Sequence, residues 1–398
     1  MNPVVGIDVA NGKSLATACL DLNEIFKQFS FAHTITGLYQ LQKVLDLLER
    51  QAGARPEIIL EATGHYSMPL CRYFNENLYT CHVVNPFVSS RFNKWGLRKV
   101  KTDKIDSLAL CKLYYLEKLH QNPVCPYEYD DAKALSRACR AAINDSVRQK
   151  VRCHGLIDRC FPGFQKLFSD PYKEDALVLL QLFPHPDAVR QIQPHVVTIK
   201  IKAKFKQRNS TWCQEKSLAL RTLAQDCYPS VSLESVQVSL LVDAVKTLQV
   251  LIRTVEELKR DLVEHMRTNR DFSRIAGIKG FGEYQAAIFL AEIGDVRRFE
   301  TPQQLIAFCG TEPGVFESGA FKGTRQHLSK HGNSLLRSAL YMAVVGMVNY
   351  QLNPVIRAYY EKKRLCEGKP YKVAIFACVN KLLRIIFAIC TREVQFTA

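Results

Sequence analysis

Apolar residues fall in short runs at the start of the chain and at helical spacing farther on. Residues 3–9 (Pro-Val-Val-Gly-Ile-Asp-Val) read as an apolar strand, Asn11-Gly12 as a turn, and Ser14–Leu22 as the returning strand of a hairpin. Leu38–Gln51 places Leu41, Val44, Leu45 and Leu48 on one helical face. Glu57–Ala62 is a second buried strand ended by Thr63-Gly64, and Thr80–Val84 is a third ended by Asn85-Pro86.

Strands alternating with helices predict an α/β sheet. A hairpin followed by strand–helix–strand units suits a ribonuclease-H-like arrangement better than a doubly wound one. From about Asp130 the pattern turns helical, with few breakers over 131–160. Residues 162–232 carry six prolines. Within them Ile199, Ile201, Ala203 and Phe205 alternate with Lys200, Lys202, Lys204 and Lys206, and this period of two predicts a strand with one basic face. Leu241, Ala244, Leu248, Leu251, Val255, Leu258 and Leu262 then recur at alternating three- and four-residue steps. This heptad seam reads as a coiled-coil helix over 233–270, either a dimer contact or a long helix packed on its own domain. Residues 271–398 form a last helical domain with glycine-rich turns. The expected division is 1–130, 131–232, 233–270 and 271–398.

The 398-residue length favours more than one domain. A hydrophobic content of 47% with 23% charged residues excludes a mostly disordered chain. The formal net charge of +16 adds something the pattern does not show: it favours a polyanionic partner, nucleic acid or an anionic surface. No membrane span is expected, because Ala339–Val348 is too short and Val373–Cys390 is broken by Lys381 and Arg384. No basic N-terminal segment leads into an apolar core, so no secretory signal is expected. The 14 cysteines include no CxxC pair, and Cys153, His154 and Cys160 fit no standard zinc spacing. Free thiols in a reducing cytoplasm account for them.

Two acids occupy apolar runs. Asp8 lies inside a strand, where an isolated carboxylate is costly unless paired or metal-bound, and Glu61 ends the run Ile-Ile-Leu-Glu. Asp103 and Asp106 share one face of a helix that Thr102 can cap. Four carboxylates from two strand ends and one helix face are what a pair of magnesium ions requires, and such a pair can clamp both oxygens of a phosphodiester. Taken singly, Asp8 can be a backbone-bonded strand-end aspartate and the Asp103/Asp106 pair a solvated helix face.

A basic, aromatic segment precedes the helical acids. Arg91, Lys94, Arg98, Lys99, Lys101 and Lys104 surround Phe92 and Trp95, so the segment can hold a nucleic-acid backbone or serve as a charged surface loop. The glycines of Gly277-Ile278-Lys279-Gly280-Phe281-Gly282, before a helix over Tyr284–Ile293, permit a tight hairpin whose N–H groups face a phosphate. That suits a helix–hairpin–helix module, and equally a plain turn between helices. Glu317-Ser318-Gly319 is followed by Lys322, Arg325, His327, Lys330 and His331, with Arg337 on the next helix. A serine beside glycine is sterically open, but its hydroxyl needs a base or a metal to become nucleophilic.

Together these residues resemble the DEDD transposases of bacterial insertion sequences, the family numbered one hundred and ten. The motifs are Gly6-Ile7-Asp8, Glu61-Ala62-Thr63-Gly64, Lys101-Thr102-Asp103-Lys104-Ile105-Asp106, Gly277 to Gly282, and Glu317-Ser318-Gly319 with Leu328-Ser329-Lys330-His331-Gly332-Asn333, in family order. The resemblance implies a RuvC-like nuclease domain with metal-binding acids Asp8, Glu61, Asp103 and Asp106, using Mg2+. It implies a C-terminal transposase domain with nucleophile Ser318. It also implies a structured non-coding guide RNA that pairs with donor and target double-stranded DNA, leaving the protein to read shape and phosphates. A homo-oligomer, dimer to tetramer, in which one subunit's acids meet another's serine, and a bacterial cytoplasmic, nucleoid-associated location follow from the same resemblance. Two features depart from it: the lysine that usually follows the first aspartate closely is displaced to Lys13, and 162–232 is expanded.

The expected activity is RNA-guided recombination through a covalent phosphoserine link. The alternatives are a metal-dependent nuclease or junction resolvase using water, and a non-catalytic nucleic-acid-binding protein that keeps an old nuclease fold. No GxxxxGK[ST] loop is present, and strand exchange through a covalent link conserves bond energy without one.

Overall fold

The computed structural model describes residues 2–84, 86, 88–89, 102–116, 127–314, 317–318, 321–322, 328 and 332–393. The chain divides into two compact units, residues 1–126 and 127–398.

The first unit is built on five strands: β1 (Val4–Val9), β2 (Lys13–Cys19), β3 (Ile25–Ala32), β4 (Glu57–Glu61) and β5 (Cys81–Val84). Their order is β3-β2-β1-β4-β5, antiparallel from β3 to β1 and parallel from β1 to β5. The hairpin turns at Gly12, whose φ of 71° suits glycine. The edge strand β3 is absent from the sequence reading. Its polar centre, Lys27-Gln28, breaks the apolar run, and most of its side chains stay partly or fully exposed. The turn that starts it is made by Asp21, whose carboxylate accepts the N–H groups of Asn23 and Glu24.

Alternation along the strands gives the sheet two apolar faces. One carries Val5, Ile7, Ala16, Ala18, Ile58 and Leu60. Helix α1 (Ile35–Ala52) covers it with the predicted Leu41, Leu45 and Leu48, between a Thr34 side-chain cap and Gly53 at φ 66°. Helix α2 (Met68–Glu76) adds Leu70 and Phe74. The other face carries Val4, Cys19, Ile59 and Val84 beneath Leu110, Cys111 and Leu113 of helix α3 (Asp103–Leu116).

Helix α3 approaches β1 at Gly6. A β-carbon there would lie 2.3 Å from the Ser107 carbonyl oxygen and 2.7 Å from Cys111 Sγ. The gap is closed by buried polar contacts: Gly6 N–H donates to Cys111 Sγ (3.2 Å), Cys111 donates to the Thr17 carbonyl (3.2 Å), and Thr17 Oγ1 bonds Ser107 Oγ (2.7 Å). Gln28 Nε2 reaches both Thr17 Oγ1 and the Lys104 carbonyl. Toward the far end of the same face, His82 Nε2 meets Glu57 Oε2 at 2.6 Å, and Asn2 donates to Glu57 Oε1. Burial raises the Glu57 pKa, but hydrogen bonds from His82, Asn2 and Tyr114 outweigh that and hold it below its ordinary value.

In the second unit, α4 (Tyr127–Cys160) and α9 (Val236–Met266) run antiparallel. Arg159 bonds Gln237, Gln149 bonds the Ala244 carbonyl, and Asn269 bonds Tyr129, so sequence order reverses along the pair. The heptad residues Leu241, Ala244, Leu248, Val255 and Leu262 are buried inside this unit. Of the two readings of the seam, a dimer contact or a long helix packed on its own domain, this burial within the unit fits the second.

Between these helices, residues 161–235 fold into α5 (Glu174–Leu182), α6 (Pro186–Arg190), α7 (Pro194–Lys204) and α8 (Ser210–Asp226). The strand expected over 199–205 is the helix α7. Its buried positions Val197 and Ile201, with Phe205 just beyond, step by four residues and leave Ile199 exposed. The period-two alternation of Lys and apolar residues happened to overlie this helical spacing, and Pro194 in the first turn starts the helix.

The rest comprises α10 (Phe272–Ala276), α11 (Glu283–Ile293), α12 (Pro302–Cys309), the two-residue strands β6 (Glu317–Ser318) and β7 (Phe321–Lys322), α13 (Ser334–Asn349), α14 (Pro354–Glu361) and α15 (Tyr371–Arg392). One described helix, α15, is long and apolar enough to cross a membrane, and 50% of its most apolar window is buried in protein. Ile375, Cys378, Val379, Leu382 and Ile386 of that helix belong to the core of this unit.

Two outcomes follow. Gly6→Ala is expected to destabilise the first unit by about 3 kcal/mol through overpacking against backbone, whereas Gly12→Ala, with open space around it, should lose only about 1 kcal/mol to its positive φ. Denaturant melts of the two variants check this. Because the Glu57 pKa is depressed on folding, its stabilisation is present above the unfolded carboxylate value and disappears as pH falls through the folded one. The stability gap between wild type and Glu57→Gln should therefore be wider at about pH 7 than at about pH 3, read by chemical denaturation at each pH.

Candidate metal and nucleic-acid site

Asp8 lies near the C-terminal end of β1, and Glu61 ends β4. These strands are parallel neighbours with Ile7 opposite Leu60, which sets the two acids abreast. By strand alternation both point to the face that α3 covers. Ligands in open α/β sheets bind beyond the carboxyl ends of parallel strands, and this is such an edge. Helix α3 contributes its first turn, where the Thr102 carbonyl accepts the N–H groups of Ile105 and Asp106. Negative charge in a first turn is favoured by the helix dipole.

One narrow crevice is lined by Asp8, Glu61, Asp106 and Ser89, over an apolar wall of Ala109, Leu110 and Leu113. All three acids are partly buried. Ser89 Oγ donates to Glu61 Oε2 at 2.9 Å, orienting that carboxylate. Asp103 is exposed, one turn earlier on α3, and does not line the crevice.

The donors fit a hard divalent cation in kind, being carboxylate oxygens supplemented by a hydroxyl. Their present spacing is looser than a coordination shell: among the described residues, no three His, Cys, Asp or Glu side chains close around one point. Asp8, Glu61 and Asp106 are thus brought to one crevice without being drawn onto one centre.

Arg91, Lys94, Trp95, Arg98, Lys99, Lys101, Arg325 and Lys330 lie outside the described residues. Lys104 is exposed on the first turn of α3. Ser318 pairs with Phe321, and Glu317 with Lys322, in the β6–β7 hairpin, of which the backbone is described.

The glycine segment forms a tight turn between α10 and α11. Gly280 and Gly282 have φ of 84° and 75°, and a β-carbon on Gly280 would meet Met347 at 2.8 Å and Leu352 at 2.9 Å. Gly277, Lys279 and Gly282 are exposed. The N–H groups of Gly277, Ile278 and Phe281 are spent on the Ser273, Ile275 and Ile278 carbonyls, so these three do not face a ligand, contrary to the sequence expectation. Arg337 crosses the neighbouring loop, with Nη1 at 3.5 Å from the Gly332 carbonyl.

Two residues escaped the sequence reading. Ser89 carries no signal of its own. Glu292 does: like Asp8, it is an acid in an apolar run. It is 2% exposed, and its Oε2 accepts from Asn333 Nδ2 at 2.6 Å. Asn333 Oδ1 in turn caps α13 by accepting from Leu335 and Leu336 N–H, so Glu292 holds the capping side chain in place.

Two family profiles match this chain: a transposase profile of the DEDD IS110 type over residues 5–162, and one described as Transposase IS116/IS110/IS902 family over residues 272–361. Together they cover more than half of the chain. A probable family 20 transposase of Pseudomonas aeruginosa is 28% identical over 37% of this chain and 43% of its own length. The transposase for insertion sequence element IS1111A of Coxiella burnetii is 30% identical over 35% and 38%. A pilin gene-inverting protein of Moraxella bovis is 29% identical over 32% and 39%. The chain therefore spans less than half the length of each of these relatives. With both profiles matched in order, and with the first enclosing the acid-lined crevice, the chain belongs to the IS110 family of DEDD-type transposases.

Proposed function

We propose that the protein is an RNA-guided DNA recombinase that cuts and rejoins strands through a covalent link to Ser318. The observation that carries this reading is the convergence of Asp8, Glu61 and Asp106 on one crevice, from stretches of chain far apart in sequence. The sheet order β3-β2-β1-β4-β5, with its antiparallel hairpin and parallel extension, supports a RuvC-like or ribonuclease-H-like domain. Asp103, exposed one turn before Asp106, completes the set of four acids. A divalent cation such as Mg2+ held by these carboxylates would stabilise negative charge developing on a phosphodiester.

Ser318 Oγ attacks phosphorus, a serine–phosphorus ester forms, and one phosphorus–oxygen bond to deoxyribose breaks. The hydroxyl proton ends on the departing sugar oxygen. Attack by a different sugar hydroxyl reverses the step and joins the exchanged strand, so no phosphate bond energy is lost to water. Ser89 holds Glu61 in its orientation. The basic segment with Arg91, Lys94, Trp95, Arg98, Lys99, Lys101 and Lys104, the turn with Lys279, Gly280 and Gly282, and the cations Lys322, Arg325, Lys330 and Arg337 bind phosphates of the donor and target duplexes and of a structured guide RNA. The net charge of +16 supports that assignment. A homo-oligomer, up to a tetramer, brings one subunit's acids to another's serine.

Ser318→Ala should abolish the protein–DNA adduct on denaturing gels while leaving DNA binding within about twofold, because a single uncharged side chain adds little to backbone affinity. An adduct that survives in this variant removes Ser318 from its role. Asp8→Asn should lower metal-dependent strand cleavage by at least about 100-fold, and Ser89→Ala should weaken the apparent metal affinity by about tenfold through the freed Glu61 carboxylate. Cleavage followed against metal concentration separates the two effects. Sequencing the nucleic acid that copurifies tests the guide: a discrete RNA supports it, and a random mixture opposes it.

A further inference from the structure

Helices α13 and α15 form an open pocket lined by Ser334, Arg337, Ser338, Tyr341, Lys372 and Phe376. The α13 residues are spaced i, i+3, i+4 and i+7 and so share one face, while Lys372 and Phe376 lie one turn apart on α15. The rings of Tyr341 and Phe376 stand 5.5 Å apart at an interplanar angle of 33°. Arg140 of α4 reaches over to donate to Ser338 Oγ at 3.2 Å, which puts a third cation at the rim. No carboxylate lines the pocket.

The adjoining surface continues the theme. Residues 357–372 hold six Lys and Arg against two Glu. Lys363 and Lys381 sit over the Tyr359 ring, and Tyr371 packs edge-on against Tyr360. Ser334, Arg337, Ser338 and Tyr341 lie within the matched segment 272–361, and Lys372 and Phe376 fall beyond it.

We propose that this pocket binds an unpaired nucleotide of a single strand, with the base on the Tyr341–Phe376 pair and the flanking phosphates on Arg337, Lys372 and Arg140. The chemistry selects that ligand. Cations without carboxylates repel metal ions and attract phosphates. Aromatic faces beside them give a base something to stack on. A duplex keeps its bases stacked on one another and leaves the rings unused, so the pocket discriminates for single strands. Hydroxyls of Ser334 and Ser338 are placed to bond phosphate or sugar oxygens between the cations. The inference rests on the nucleic-acid reading only in its choice of ligand. Its test measures binding in EDTA, where loss of cleavage has no influence.

The full-length protein is titrated against fluorescent single strands of about 12 nucleotides, oligothymidylate and oligouridylate, and against a duplex of the same length, at several salt concentrations. Phe376→Leu keeps an apolar side chain at a half-buried position. It should weaken single-strand binding by about fivefold or more and duplex binding by less than about twofold. Lys372→Ala, at an exposed position, should make the log–log salt dependence for single strands shallower by about 0.7. Strands carrying 5-iodouracil should photocross-link to the peptides containing Tyr341 or Phe376. Preference for the thymidylate or the uridylate strand identifies the bound strand as DNA or RNA, and either supports the proposal. Equal losses for single strand and duplex, unchanged single-strand binding by folded Phe376→Leu, or cross-links that fall elsewhere overturn it.

Discussion

The first unit depends on one close contact, helix α3 pressed onto strand β1 where Gly6 has no side chain. The acids that line the crevice come from two sources: Asp8 and Glu61 from the sheet, Asp106 from the helix. They share a crevice only because helix backbone can approach strand backbone, and the Ser107 carbonyl oxygen occupies the space a β-carbon would fill. Apolar packing alone fixes how near the helix lies, but it does not fix rotation well. The Thr17–Ser107 and Cys111–Thr17 bonds do that, because each would be lost if the helix turned about its axis. Asp106 immediately precedes Ser107, so the bond that seats Ser107 also aims the carboxylate.

The second unit uses the same devices for a different purpose. A long antiparallel helix pair, α4 with α9, carries one apolar lobe at residues 161–235 and shares the core of another through Ala132, Leu262 and Met266. Where α13 begins, Gly310 and Gly332 allow backbone to meet backbone, with a β-carbon on Gly332 falling 2.2 Å from the Phe308 carbonyl oxygen. A polar pair, the buried Glu292 with the partly buried Asn333, then fixes the start of the helix. In both units a glycine permits the approach and a polar contact sets the register.

Much of this was legible because the physics is local. The strands β1, β4 and β5 are short apolar runs, α1 is a clean amphipathic stripe between a threonine cap and a glycine stop, and the 31 residues of α9 follow a heptad pattern. The failures share a cause, which is that the deciding partner is distant. β3 is held by pairing with β2 and by Gln28 reaching α3, neither visible in Ile25–Ala32 itself. In α7 the alternation of lysine with apolar residues imitated a strand, and only packing of Val197 and Ile201 selects the helix. The heptad on α9 announced a helical partner correctly but could not say that the partner was α4 of the same chain. For the crevice, the apolar setting of Asp8 and Glu61 marked both acids, and spacing marked Asp106. Ser89 was invisible because a hydroxyl in a helical turn signals nothing until its acceptor is known.

The charge distribution gives these pieces a common logic. A chain with sixteen excess positive charges draws phosphates over a long range, yet its crevice at the edge of the sheet is acidic. An acidic lining repels the ligand that the rest of the surface attracts, so the crevice makes chemical sense for a polyanion only when positive charge enters with it. Carboxylate donors on both sheet and helix are suited to admit that charge as a cation, and their loose spacing leaves room for the ligand to complete the set. The pocket between α13 and α15 solves the opposite problem. It has cations and rings but no acid, so it can hold a nucleotide without any ion to mediate. The two units thus present opposite linings, an acidic crevice on one and an acid-free aromatic pocket on the other, and a polyanion meets them differently: through an intervening cation at the first and directly at the second.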